Sequence, residues 1–256
     1  MINEISSGLK IFSLQENLKQ GLALVGHISG KNANLPILNN ILIKAEAGKI
    51  RLIATNLEIG IISVVRGKIE REGLFTVNAK IISDCINLLP NKKIGLEQRV
   101  GDLLVDCENY QAKARGQSAE EFPLMPEVDR KNYFSAEAEE VKKAVSQIIF
   151  AAATSETRLE LSGALLVFSG DNLTMAATDS YRLAEKRIGI KSNPPALTGN
   201  EEEKRIIVPA KTLQELLRIL SVNLDNEVEE KYSEIKFYIS ENQILFTYGA
   251  TEFVSR

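Results

Sequence analysis

Leu14, Leu18, Leu22, Val25 and Ile28 recur at helical spacing with Lys19 and Gln20 on the other side, so residues 13 to 28 predict an amphipathic helix. Ser13, followed three residues later by Glu16, has the form of a capping box and predicts where that helix starts. From residue 37 the period changes to two. Ile41, Ile43 and Ala45 alternate with Asn40, Leu42 and Lys44, Gly48 supplies a turn, and Ile50 to Ala54 completes a strand pair. Apolar stretches at 59 to 65 and 74 to 77 add strands, and 79 to 89 returns to helical spacing until Pro90 stops it. Strands follow near 94 to 98, 102 to 107 and 109 to 115. Residues 116 to 133 hold Phe122-Pro123-Leu124-Met125-Pro126 among charged and small residues, which predicts an extended linker.

The pattern then runs a second time. A helix is expected from 135 to 154 on the stripe Val141, Val145, Ile148 and Ala152, then strands at 161 to 168, 172 to 178 and 182 to 189. A loop at 191 to 204 carries the run Glu201-Glu202-Glu203, read as a solvated surface. A helix at 210 to 221 and strands at 234 to 240, 243 to 248 and 250 to 255 complete the chain. The residues repeat along with the pattern. Leu52-Ile53-Ala54-Thr55-Asn56 returns as Met175-Ala176-Ala177-Thr178-Asp179, and Phe75-Thr76-Val77-Asn78-Ala79-Lys80 as Ile206-Ile207-Val208-Pro209-Ala210-Lys211. Leu103 to Arg115 returns as Ile244 to Arg256. So long a repeat is a duplicated domain rather than a solenoid unit. The expected domains are 1–128 and 129–256, each an α+β arrangement of two helices packed on antiparallel sheets.

Composition narrows the class. Hydrophobic residues make up 44% and charged residues 25%, as in an ordinary globular protein, and each repeat is long enough to bury its own core. No apolar run approaches a membrane span, and Met1-Ile2-Asn3-Glu4 lacks the basic start of a secretory signal, so the cytoplasm is the expected compartment. The net charge of −3 does not exclude nucleic acid, because the field near a phosphate depends on local charge. Cys85 and Cys107 read as buried free thiols. The single histidine, His27, stands near a helix end, where a structural role is expected, and with two distant cysteines it makes no zinc site. There is no phosphate-cradling glycine loop, and Asp179 with Arg182 reads as a strand-end turn. No catalytic residue, metal or cofactor is expected; the chain reads as a binding protein.

Four segments carry a resemblance. Asn34-Leu35-Pro36-Ile37-Leu38-Asn39-Asn40, Ala54-Thr55-Asn56-Leu57-Glu58, Ala177-Thr178-Asp179-Ser180-Tyr181-Arg182-Leu183-Ala184 and Val208-Pro209-Ala210-Lys211 resemble signature blocks of the bacterial DNA polymerase III beta subunits, the sliding clamps. The similarity runs over essentially the whole chain, linker Phe-Pro included. It implies the DNA clamp fold, with helices lining a ring around double-stranded DNA. In such a ring Lys/Arg side chains face phosphates without reading bases, and the candidates are Lys19, Lys80, Lys142, Lys143, Lys211 and Arg218 on helices, with Lys31 and Arg158 on adjoining loops. It also implies a pocket that takes short peptide motifs of the replicative polymerase, the clamp loader and repair proteins. Its residues here are Leu161, Thr178, Ser180, Tyr181, Arg182 and Leu183, with Ser180-Tyr181 in place of the family's common Gly-His. Family members carry three domains and form homodimer rings, so a missing third domain is expected; a two-domain chain closing as a trimer is the alternative. A clamp-fold scaffold that binds proteins and not DNA is the other functional reading.

Overall fold

The computed structural model describes residues 8–30, 35–154, 158–193, 203–222 and 233–256. The chain forms two compact units, Met1–Pro126 with Ala250–Glu252, and Glu127–Gly249 with Phe253–Arg256. In the first, strand β1 (Lys10–Leu14) runs directly into helix α1 (Gln15–Gly26). There follow β2 (Asn40–Glu46), β3 (Lys49–Thr55), β4 (Ile59–Val65), β5 (Gly67–Arg71) and β6 (Gly73–Asn78). Helix α2 (Ala79–Leu88) and strands β7 (Lys93–Arg99), β8 (Asp102–Cys107) and β9 (Tyr110–Gln117) complete the unit. The strands pair antiparallel in the orders β5-β1-β7-β8-β9 and β4-β3-β2-β6.

The second unit has the same succession. It opens with β10 (Tyr133–Glu137), α3 (Ala138–Ile148), β11 (Gly163–Ser169), β12 (Asn172–Thr178), β13 (Leu183–Gly189) and β14 (Lys191–Asn193). It continues with β15 (Lys204–Pro209), α4 (Ala210–Ser221), β16 (Glu234–Ile239), β17 (Ile244–Tyr248) and β18 (Thr251–Ser255). Its strand orders are β14-β10-β16-β17-β18 and β13-β12-β11-β15. The α+β architecture and the duplication are therefore visible in the pairing itself. The repeat also begins earlier than the matching blocks indicate, since β1-α1 corresponds to β10-α3.

Four helices begin without a loop, each from the last residue of a strand. At three of these junctions the first helical N–H is satisfied by a neighbouring backbone carbonyl: Gln15 donates to Lys92 at 2.9 Å, Ala138 to Ser233 at 2.7 Å and Ala210 to Ser162 at 2.9 Å. At the fourth, the Asn78 side chain accepts from the N–H groups of Lys80 and Ile81. The capping box expected at Ser13 is not formed. Ser13 lies inside β1, buried, and its hydroxyl donates to the Arg66 carbonyl at 2.6 Å, while Leu14 is exposed and outside the stripe. Likewise Ser135 belongs to β10, and α3 ends at Ile148 before a short 3-10 turn, Ile149–Ala151, rather than running from 135 to 154. In both places a short strand feeding a helix blurs the change of period. Strands β5 and β14 were likewise not foreseen, and the latter occupies the start of the expected 191–204 loop; most of that loop lies outside the described residues. The expected linker is partly ordered, since its first residues extend β9 and Phe122 is buried.

Helix α1 packs on β3 and β4 and against α2; α3 packs on β12 and β13 and against α4. The buried stripes are Leu18, Leu22 and Val25 on α1, Ile82 and Ile86 on α2, Val141, Val145 and Ile148 on α3, and Leu213, Leu216 and Leu220 on α4. Between the two sheets of the second unit, Phe134, Phe168, Phe237, Phe246 and Phe253 form a continuous chain of rings with successive centroids 4.7–5.7 Å apart. Cys107 is buried as expected, but Cys85 is only half-buried; both are free thiols whose pKa is raised by desolvation. Phe237, 1% exposed and touching rings on two sides, is the centre of this core. Phe237→Ala is expected to cost the second unit about 3–5 kcal/mol, whereas Tyr181→Ala, at a residue 98% exposed, changes stability by no more than about 0.5 kcal/mol. Urea unfolding followed by circular dichroism measures both, and a Phe237→Ala loss as small as that of Tyr181→Ala contradicts this assignment of the core.

Candidate functional site

The helix faces left outside the cores carry the basic residues expected to meet phosphates. In the first unit Lys19 on α1 and Lys80 at the start of α2 are exposed; in the second, Lys143 on α3 and Lys211 at the start of α4 are exposed. A constant shift along the sequence that carries β1 onto β10 also carries Lys19 onto Lys142, and Lys80 and Lys211 are each the second residue of their helix, α2 and α4, so both pairs are equivalent positions on equivalent helices. Lys142 is half-exposed and reaches Glu139 at 3.4 Å. Arg218 is engaged locally: its Nε and Nη2 both donate to Oε1 of Glu215, at 2.8 and 2.5 Å. This pair places a carboxylate at 7% side-chain exposure against a guanidinium at 25%, so most of the arginine's charge is spent within its own helix. Arg158, expected on a loop, is engaged locally too. Its Nη1 donates to Oγ of Ser180 at 3.3 Å, which sets it beside the expected peptide pocket. Lys31 lies outside the described residues.

The helices are not strongly basic. Glu16 accompanies Lys19 on α1, Asp84 accompanies Lys80 on α2, and Glu139 with Glu140 balance Lys142 and Lys143 on α3. Among the described helices only α4 carries a net positive charge. Such faces offer single cations spaced along helices rather than a dense basic patch. They can touch a polyanion through separate, weak, salt-sensitive contacts.

Five of the six residues expected to form a peptide pocket lie at the turn between β12 and β13. Thr178 Oγ1 donates to the Arg182 carbonyl at 2.8 Å and accepts from the Ser180 N–H at 3.1 Å. Asp179 Oδ1 accepts from the N–H groups of Tyr181 and Arg182, both at 3.0 Å, and Oδ2 accepts from Arg182 Nε at 2.9 Å. Ser180 takes a φ of 78°, a left-handed conformation that these side-chain bonds hold in place. The Asp179 carboxyl is consequently held below its ordinary pKa, first by the Tyr181 N–H and then by the backbone and side chain of Arg182. The Arg182 guanidinium lies 5.4 Å from the centroid of the Phe150 ring. Tyr181 and Leu183, 98% and 69% exposed, stand free beside the turn. Leu161, partly buried, lies in the 3-10 turn Leu159–Leu161, and its carbonyl accepts from the Ala153 N–H at 2.8 Å.

The structure thus joins Thr178, Ser180, Tyr181, Arg182 and Leu183 in one turn and adds three groups the pattern did not assign to it: Asp179, Phe150 and Arg158. Asp179 was legible as a turn former, but not as the group that fixes its neighbours. Phe150 had one signal, a large aromatic just beyond the buried stripe of α3. Among the described residues no cluster of acidic, histidine and cysteine side chains is arranged to hold a metal, and no helix is long and apolar enough to cross a membrane.

The first unit contains the same turn. Thr55 Oγ1 donates to the Ile59 carbonyl at 2.8 Å and accepts from the Leu57 N–H at 3.0 Å. Asn56 Oδ1 accepts from the N–H groups of Glu58 and Ile59, and Leu57 has a φ of 79°. Asn56 replaces Asp179, so here the same backbone is held by a neutral amide.

The family model for the DNA polymerase III beta subunit, N-terminal domain, matches residues 10–126, and that for its central domain matches residues 135–256. The beta sliding clamp of Synechococcus elongatus is 30% identical over 251 residues, covering 97% of this chain and 64% of the relative. That of Synechocystis sp. is 28% identical over 262 residues, covering 97% and 66%. The chain therefore spans just under two thirds of the length of these relatives. A crystal structure of a putative DNA polymerase III beta subunit from Eubacterium rectale superposes with a TM-score of 0.85 at 27% identity, over 97% of this chain and 64% of that one. A sliding clamp from Pseudomonas aeruginosa bound to griselimycin superposes with a TM-score of 0.83 at 26% identity, with the same coverage. The fold is that of the sliding clamps, and the chain belongs to the DNA polymerase III beta subunit family, of which it carries the N-terminal and central domains.

Proposed function

We propose that this protein is a non-catalytic processivity clamp that self-associates into a ring around double-stranded DNA and holds the replicative polymerase on it. The observation that carries the reading is the repetition of Lys19 and Lys80 as Lys142 and Lys211 on equivalent helices, so that each unit would present the same cations to a phosphate backbone, which positions a protein without reading sequence. Near-neutral helix faces suit a ring that must slide, because retention by encirclement needs no tight contact. The Asp179 turn, with exposed Tyr181 and Leu183 beside a fixed backbone, is the docking surface for short peptide segments of the polymerase, the clamp loader and repair proteins. The cytoplasm is the compartment this function requires.

Two measurements test the reading. With Lys80→Ala and Lys211→Ala combined, the loaded clamp is expected to bind DNA with a slope of log affinity against log salt that is shallower by about 1.8 for each chain in the ring, roughly 0.9 for each lost phosphate contact. An unchanged slope and unchanged polymerase processivity favour the protein-binding scaffold instead. The second concerns pH. The depressed Asp179 pKa means its contribution to the turn is complete above the ordinary aspartate value of about 3.9 and is lost as pH falls through the lower folded value. Backbone amide signals of Tyr181 and Arg182 are therefore expected to stay constant from neutral pH to about 4 and to move only in more acid solution, while those of Glu58 and Ile59, held by Asn56, do not move with them. Titration of the Tyr181 amide at or above the ordinary aspartate value contradicts the geometry.

A further inference from the structure

The two copies of the turn differ in what lies beside them. The shift that carries Thr55 onto Thr178 and Ile59 onto Arg182 also carries Leu38 onto Leu161 and Gly60 onto Leu183. Leu183 is 69% exposed. Gly60 is covered. A Cβ built on Gly60 would run into the methyl group of Met125 and lie 2.8 Å from its sulfur, so the Met125 side chain, as placed, occupies the space that a side chain at position 60 would fill. Its backbone is not left-handed, which removes the other usual reason for glycine.

Met125 reaches Gly60 from a segment anchored at Phe122. Phe122 is buried at 6% exposure and its N–H donates to the Ala119 carbonyl at 3.1 Å, while Pro123 and Pro126 restrict the chain to extended conformations. Leu124, 93% exposed, points away to solvent. The result is an extended strip that sets one unbranched, adaptable apolar side chain against the start of β4, next to the hydrogen-bonded turn. This is how a docked peptide behaves, and here the peptide is part of the same unit.

We propose that residues Phe122–Met125 are a built-in ligand, and that the Gly60 surface of the first unit is a second peptide-docking site of the same class as the one at Asp179. It is kept silent because the chain's own Met125 fills it. Its ligand class is a short extended peptide that places a Met or Leu side chain on Gly60. The proposal rests on reading the Asp179 turn as a peptide-docking surface.

The probe is a fluorescein-labelled peptide with the sequence of residues 120–126, titrated by anisotropy and by calorimetry into three proteins: native, Met125→Ala, and Met125→Ala combined with Gly60→Leu. Met125→Ala is expected to bind one more probe per chain than the native protein, and Gly60→Leu to abolish that added site. Equal stoichiometry in native and Met125→Ala protein, or an added site that survives Gly60→Leu, overturns the proposal. Failure of the Asp179 reading has a different signature: the native protein binds no peptide bearing Leu and Phe anchors, while the difference between native and Met125→Ala still decides the first-unit site. If thermal melts show that alanine unfolds the first unit, Met125→Val leaves an apolar side chain too short to fill the site and carries the same expectation. A nuclear Overhauser contact between the Met125 methyl and the Gly60 α-protons is also expected in the native protein, and its absence overturns the proposal without any substitution.

Discussion

Each α-helix among the described residues grows directly out of the end of a strand, and the placement of the basic side chains on these helices follows from that junction. A helix joined by a loop can tilt or rotate. One that begins on the residue after a sheet position, with an N–H of its first turn bonded to a backbone carbonyl or to an asparagine side chain, has its rotation set by the junction as well as by its apolar stripe. The stripe then agrees with the junction: Leu18, Leu22 and Val25 on α1 face the sheet because Leu14 ends β1 where it does. Lys19 is left pointing outward, and the equivalent junction leaves Lys142 outward too. In the proposed function, packing and DNA contact use opposite faces of one element.

The same economy governs the electrostatics. A surface dense in arginine would bind DNA tightly and resist movement along it. These helices interleave their cations with acids, and two pairs close within a helix, Lys142 with Glu139 and Arg218 with Glu215. What remains is a scatter of lysines whose flexible, hydrated ammonium groups exchange contacts readily. In the proposed function, the ring supplies retention and the lysines supply only a loose fit to the phosphates.

Much of the fold was legible in the sequence. Helices α2 and α4 and the hairpins of β2-β3, β7-β8 and β16-β17 follow from period, glycine turns and a terminating proline. The junctions were not legible, because five-residue strands such as β1 and β10 pass into helices with no breaker between them, and inward-facing serines at Ser13 and Ser135 imitate helix starts. At the Asp179 turn, the residues on display could be named from their resemblance to a family. The groups that hold them in place could not, since a carboxylate bonded to two backbone N–H groups and a phenylalanine beneath a guanidinium are relations of distance and leave no pattern in the order of residues. Gly60 is a third case. Its meaning depends on Met125, far away along the chain, and a lone glycine in a strand says only that something comes close.

Encirclement is the central claim, and retention on closed DNA tests it most directly. Labelled protein is loaded onto nicked circular plasmid and separated from free protein, and its dissociation is followed before and after a single restriction cut. The account predicts slow dissociation from the circle, little dependence on sequence, and rapid release once the DNA has ends. Equal dissociation from circular and linear DNA would contradict it.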